Sequence, residues 1–182
     1  MKIACIAWGS LIWDKKNLDV MDEWYSDGPS LPLEYARQSK NGRVTLVICP
    51  GSKILETLWT LFNTNDIETA INSLRVREET IPKHIHRIFK TDKPINEVEA
   101  SVCNWLNEKN IDSAIWTGLP PKWNGVYHIK PSLDDLIKYL QNLEVPKYNL
   151  AKEYVERTPL QIETEYRASI LTAMNWSGQT QN

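Results

Sequence analysis

Apolar and polar positions along this chain change period several times, and each change marks an element. Ile3-Ala4-Cys5-Ile6-Ala7 is a continuous apolar run closed by Gly9, the pattern of a buried strand emptying into a tight turn. Asp14 to Tyr25 is mixed and compatible with a short helix, and Asp27-Gly28-Pro29 marks a turn. Leu31 to Ser39 alternates apolar and polar residues, Asn41-Gly42 is a two-residue hairpin signal, and Val44 to Cys49 resumes with β-branched residues. Pro50-Gly51 closes that hairpin, and Glu56 to Phe62, rich in Leu, Trp, Thr and Phe, reads as one further strand.

From Asn65 the period lengthens. Ile67, Ala70, Ile71 and Leu74 follow the i, i+3, i+4, i+7 spacing, which predicts a helix capped by Asn65 or Asp66 and running to about Arg77, with Pro82 forbidding its continuation. His84 to Phe89 reads as a strand, Ile95 to Lys109 as a second helix, and Ser113 to Thr117 as a short buried strand. Gly118 to Gly125, with Pro120, Pro121 and Trp123, reads as an ordered loop. Ser132 caps a helix to Leu143, and Pro146 ends that element. Amphipathic pieces follow around Leu150 to Arg157 and Glu163 to Trp176. Strands first and then helices interspersed with strands predict an α+β fold: a small mixed, mainly antiparallel barrel or sheet with flanking helices. The expected organisation is one domain over 1–176 and a flexible tail over 177–182.

Composition narrows the class. A chain of 182 residues with 42% hydrophobic positions can bury a core without staples. Its net charge of -2 provides no long-range attraction for nucleic acid or an anionic membrane. Cys5, Cys49 and Cys103 are an odd set without metal spacing, each in an apolar stretch, which suits reduced thiols and a cytoplasmic location. No apolar run approaches the roughly 18 residues of a spanning helix. Composition leaves the oligomeric state open.

Chemistry concentrates at two places. The loop Trp8-Gly9-Ser10-Leu11 follows the first strand; a glycine there lets the backbone approach a ligand, and successive N–H groups suit a carboxylate or another anion. Glu78 and Glu79 end the first helix, where a carboxylate meets the negative end of the helix dipole and partial burial disfavours its charged form, both useful in a general base. Arg75 and Arg77 oppose this if they pair with it, and position alone does not say which glutamate turns inward. His84 and His86 are two apart and would share a strand face, with His128 a third imidazole, but nothing in the sequence gathers the three around a metal. Cys103 occupies a core-like helical position, and Ser10 lacks the strand-turn-helix glycine pattern of a hydrolase serine.

Taken together, the two motifs resemble those of the gamma-glutamylcyclotransferase-like superfamily. Its first strand ends in a Tyr-Gly-Ser-aliphatic or Tyr-Gly-Ser-Asn loop, here Trp8-Gly9-Ser10-Leu11, and its acid/base glutamate lies in a Leu-Asp-x-x-Glu-Gly stretch after a helix, here Leu74-Arg75-Val76-Arg77-Glu78-Glu79. The likeness covers about the first half of the chain, with Trp8, Arg75 and Glu79 standing where the family has tyrosine, aspartate and glycine. It implies a small mixed barrel and an enzyme that closes the γ-glutamyl group of an amine or peptide into 5-oxoproline, with no metal or organic cofactor. Glu78 would be the acid/base, and Trp8, Gly9, Ser10 and Leu11 would bind the substrate. The competing expectation is a non-catalytic module that uses the same cradle for an amino-acid-like ligand or a partner protein.

Overall fold

The computed structural model describes residues 1–178; residues 179–182, which make up most of the expected tail, lie outside the described residues. In chain order the elements are β1 (Ile3–Ala7), β2 (Ser30–Gln38), β3 (Val44–Ile48), β4 (Ile54–Glu56), β5 (Leu58–Leu61), α1 (Ile67–Arg77), β6 (Ile85–Phe89), α2 (Glu97–Lys109), β7 (Ser113–Thr117), β8 (Lys122–Trp123), β9 (Val126–Tyr127), α3 (Leu133–Gln141), α4 (Val145–Arg157) and α5 (Arg167–Met174). The fold is α+β with two mixed sheets. The chain divides into two compact units, the first made of Met1–Ala7, Asp14–Leu31 and Glu56–Leu119, the second of Trp8–Trp13, Pro32–Leu55 and the chain from Pro120 on.

The first unit is built on a sheet of order β5-β1-β7-β6. All five residues of β1 are buried, as its unbroken apolar run requires, and it pairs antiparallel with β5 and parallel with β7. Helix α1 begins at Asp66, whose carboxylate accepts the Thr69 N–H at 2.7 Å, and buries Ala70 and Leu74, one turn apart. Helix α2 is capped in the same way by Asn96 and buries Val102, Cys103, Trp105 and Leu106.

The strand expected over Glu56 to Phe62 is β5, starting only at Leu58, while Glu56 ends the separate strand β4. The break is at the buried Thr57, which leaves the ladder to bond a turn: its Oγ1 donates to the Pro29 carbonyl at 2.7 Å and its own carbonyl accepts the Gly28 N–H at 2.9 Å. A Cβ at Gly28 would sit 2.7 Å from Thr57 O, so the Asp-Gly-Pro turn is fitted to that bond. Asp14 to Tyr25 holds no helix. It turns at Lys15–Leu18 and then runs along the edge of the sheet, with isolated bridges Val20 to Phe62 and Tyr25 to Trp59, and backbone bonds to the strand edge replace those a helix would have made internally.

The second unit carries the sheet of order β3-β2-β8-β9, with β4 also pairing β2. The β2–β3 hairpin turns at Gly42 (φ +81°) and contains a bulge between Tyr35 and Arg37. The segment read as an ordered loop holds a second hairpin, β8–β9, turning at Asn124-Gly125 with φ +48° and +84°. That dipeptide is itself a type I′ signal, outweighed in the sequence by the neighbouring prolines. Pro146 lies beyond the end of α3 but opens α4 in its first turn, where the missing N–H would have had no helical partner. Between α4 and α5 the polar stretch is not helical. It wraps around Arg167, 5% exposed, whose guanidinium donates to the carbonyls of Thr158, Pro159 and Ile162 at 2.5–3.1 Å. No helix among the described residues is long and apolar enough to cross a membrane.

Candidate functional site

The loop Trp8–Trp13 belongs to the second unit. Trp8 is buried and its indole N–H donates to the Leu46 carbonyl at 3.3 Å, which ties the loop to β3. The Ile12 N–H donates to Gly9 O at 3.0 Å and closes the turn, and Leu11 is buried beneath it. The missing side chain of Gly9 has an occupant: a Cβ there would lie 2.4 Å from the hydroxyl of Tyr154 on α4. That hydroxyl accepts the Leu46 N–H at 3.3 Å. The Tyr154 ring meets Trp13 edge-on at 5.5 Å and Tyr35 at 6.4 Å. Behind it, Tyr35 Oη donates to Thr158 Oγ1, which donates to the Tyr154 carbonyl, both at 2.9 Å, and burial pushes the Tyr35 phenol up to about 12. Two cations flank this aromatic group, Arg43 over the Tyr154 ring at 5.6 Å and Arg157 over Trp13 at 5.7 Å.

Glu78 belongs to the first unit and is the C-cap of α1. Its N–H donates to Leu74 O at 2.9 Å, and Glu79 then takes φ +49°, which lets the Thr80 N–H reach back to Arg75 O at 3.2 Å. The two glutamates have opposite environments. The Glu78 side chain is 17% exposed and accepts from Arg77 Nη1 at 2.5 Å, whereas Glu79 is 79% exposed and pairs with Lys16 at 3.2 Å. Arg77, 7% exposed, also donates through Nε and Nη2 to the Asp14 carbonyl. Of the arginines that the sequence offers Glu78, Arg77 is the partner, and Arg75 bonds Asn72 instead. The buried Cys5 thiol is pushed up, first by desolvation and then by the Glu78 carboxylate, with Arg77 opposing.

The other candidates have local roles. His84 is not on the strand: it ends a 3-10 turn over Pro82–His84, with Nδ1 2.8 Å from Thr80 Oγ1. His86 on β6 packs against Trp116, and a Cβ at Gly118 would lie 2.4 Å from its ring; desolvation holds its imidazole below the ordinary range, with Glu99 opposing. Cys103 is a core thiol facing the Phe89 carbonyl at 3.7 Å. Among the described residues, no group of three or more His, Cys, Asp or Glu could hold a metal ion.

Three residues around the loop's own unit were not singled out by the sequence. Tyr154 and Arg43 carry no motif; only their packing brings them to attention. Glu34 on β2 is fully buried, its Oε1 accepting the Tyr35 N–H at 2.8 Å and its Oε2 4.0 Å from Lys130 Nζ. Desolvation raises its pKa, against opposing hydrogen bonds from Thr164 and the Tyr35 N–H and the Lys130 charge. Alternation would have sent its side chain to solvent, but both faces of β2 are covered over Leu33–Ala36. Comparison with known proteins finds no matching family model, no matching curated protein and no matching solved structure.

Proposed function

We propose that this chain is a gamma-glutamylcyclotransferase-like enzyme that converts a γ-glutamyl amine or peptide to 5-oxoproline and the free amine. The observation that supports this reading most is the backbone at Glu79. Its φ of +49° is the conformation glycine adopts without steric cost, and it follows Glu78 directly, at the position where the resembled stretch has glycine. The local chain path around the acid/base glutamate is therefore the one a Glu-Gly pair would take, although the glycine is absent.

In this reading the α-amine of the γ-glutamyl group attacks its own γ-carbonyl carbon. A new C–N bond closes the five-membered ring and the C–N bond to the leaving amine breaks. Glu78 accepts the proton lost by the attacking nitrogen and delivers it to the departing one, so the carboxylate is regenerated and no redox partner is needed. The backbone N–H groups of Gly9, Ser10 and Leu11 take the substrate's carboxylate or carbonyl oxygen, the role the resemblance assigns to that loop.

A second reading is supported by one observation, the Arg77–Glu78 pair. The guanidinium takes up a carboxylate oxygen of Glu78 in a structural ion pair, which suits a non-catalytic binding or interaction module on the same fold. The test is 5-oxoproline release from a panel of γ-glutamyl dipeptides and amines at neutral pH, with wild type and Glu78→Gln side by side. Turnover in wild type and loss in the folded variant is the expected result; no release from any substrate by folded wild type favours the second reading.

A further inference from the structure

The β2–β3 hairpin of the second unit carries two arginines in different states. Arg37 is occupied: its Nη1 donates to the Pro120 carbonyl at 2.7 Å, and it lies over the Tyr127 ring at 5.9 Å. Arg43 is not. Its Nε is buried without a hydrogen-bond partner, and none of the ion pairs of the described residues involves it. Its Cζ lies 5.6 Å from the centre of the Tyr154 ring, a cation–π contact. The other cation of the group, Arg157, bonds Glu153 at 3.1 Å.

A guanidinium presents a planar fork of donors, and a carboxylate is the acceptor that matches this fork in two parallel bonds. Tyr154 is also the residue whose hydroxyl fills the Cβ space of Gly9. One side chain thus contacts the glycine loop with its oxygen and the cation with its ring, which leaves a single aromatic residue between Arg43 and the loop. We propose that Arg43 recognises a carboxylate of the ligand received at the Trp8–Leu11 loop, with Tyr154 as its platform. The ligand class, a γ-glutamyl compound or its 5-oxoproline product, rests on the cyclotransferase reading; the carboxylate preference rests on the geometry of Arg43.

The test compares 5-oxoproline with its carboxamide, which has the same ring and no charge, by calorimetric titration of the full chain. Wild type is expected to bind the carboxylate about tenfold or more tightly over the amide, the scale of one charge-assisted bidentate contact. Arg43→Gln should bring the two ligands close to equal affinity, and Arg43→Lys should retain part of the preference. Arg87→Gln, which removes the exposed pair with Glu68, should behave as wild type. An undiminished preference in Arg43→Gln, or wild type with no preference or no binding, overturns the proposal. If Arg43→Gln does not fold, an undiminished preference in Arg43→Lys overturns it equally. The outcome separates from the catalytic question: Arg43-dependent preference without turnover keeps this site and rejects the cyclotransferase, while Glu78-dependent turnover with an Arg43-independent preference does the reverse.

Discussion

The hydroxyl of Tyr154 occupies the space in which any side chain at position 9 would begin, 2.4 Å from where the Cβ would stand. The glycine of the loop is thus required by a partner within its own unit, 145 positions away in the sequence, before any ligand is considered. A contact that short forces one of the two residues to move. Gly9→Ala is expected to cost about 1–3 kcal/mol, the usual penalty of overpacking. Combining it with Tyr154→Phe should recover a good part of that loss, since the clashing oxygen is gone. Urea unfolding of the two single variants and the double variant measures the coupling, and strictly additive effects would mean that position 9 is empty for another reason.

Arg77 fastens the end of α1 to the segment after the first loop through two donations to the Asp14 carbonyl, besides its bond to Glu78. Arg77→Met should lower stability by roughly 2–3 kcal/mol, the range for lost hydrogen bonds to and from a charged group with its partners left in place. Chemical denaturation gives the value, and a loss below a few tenths of a kcal/mol would show that the segment does not depend on this anchor.

Glu79 holds a left-handed conformation that is unfavourable for a residue with a Cβ, and among the described residues its charged partner is the exposed Lys16. Glu79→Gly should stabilise the protein by up to about 1 kcal/mol, backbone relief outweighing the extra freedom of glycine in the unfolded chain. A higher urea midpoint at unchanged slope is the expected readout; a lower midpoint would mean that the surface pair matters more than the strain.

Glu34 supplies a pH dependence whose sign follows from its burial. Its carboxyl is harder to ionise folded than unfolded, so its contribution to stability is complete below the ordinary carboxylate range and is lost as pH rises through the raised folded value. Glu34→Gln removes that titration. Unfolding free energies measured from pH 4 to 8 should show the variant gaining on wild type as pH increases, and a constant difference across the range would assign no titration to this site.

Periodicity and turn and cap residues were enough to determine β1, the β2–β3 hairpin, the capped helices α1 and α3, the body of α2, and the α+β class, because these elements are decided by residues within one or two turns of each other. The resemblance of Trp8–Leu11 and of the Leu74–Glu79 stretch was likewise written in short contiguous segments, and the helix end at Glu78 lies where Leu74 and Pro82 bracket it. Tertiary structure decided the rest. Thr57 separates β4 from β5 because a turn formed by Gly28 and Pro29 claims its hydrogen bonds. Glu78 turns inward and Glu79 outward because a buried Arg77 takes one carboxylate and the exposed Lys16 the other. Arg43 lies over the ring of Tyr154, whose hydroxyl fills the space at Gly9, and Glu34 is enclosed on a strand face that alternation would leave wet. Each of these depends on which distant group fills a space or completes a hydrogen bond, and local propensity carries no information about a neighbour a hundred residues away.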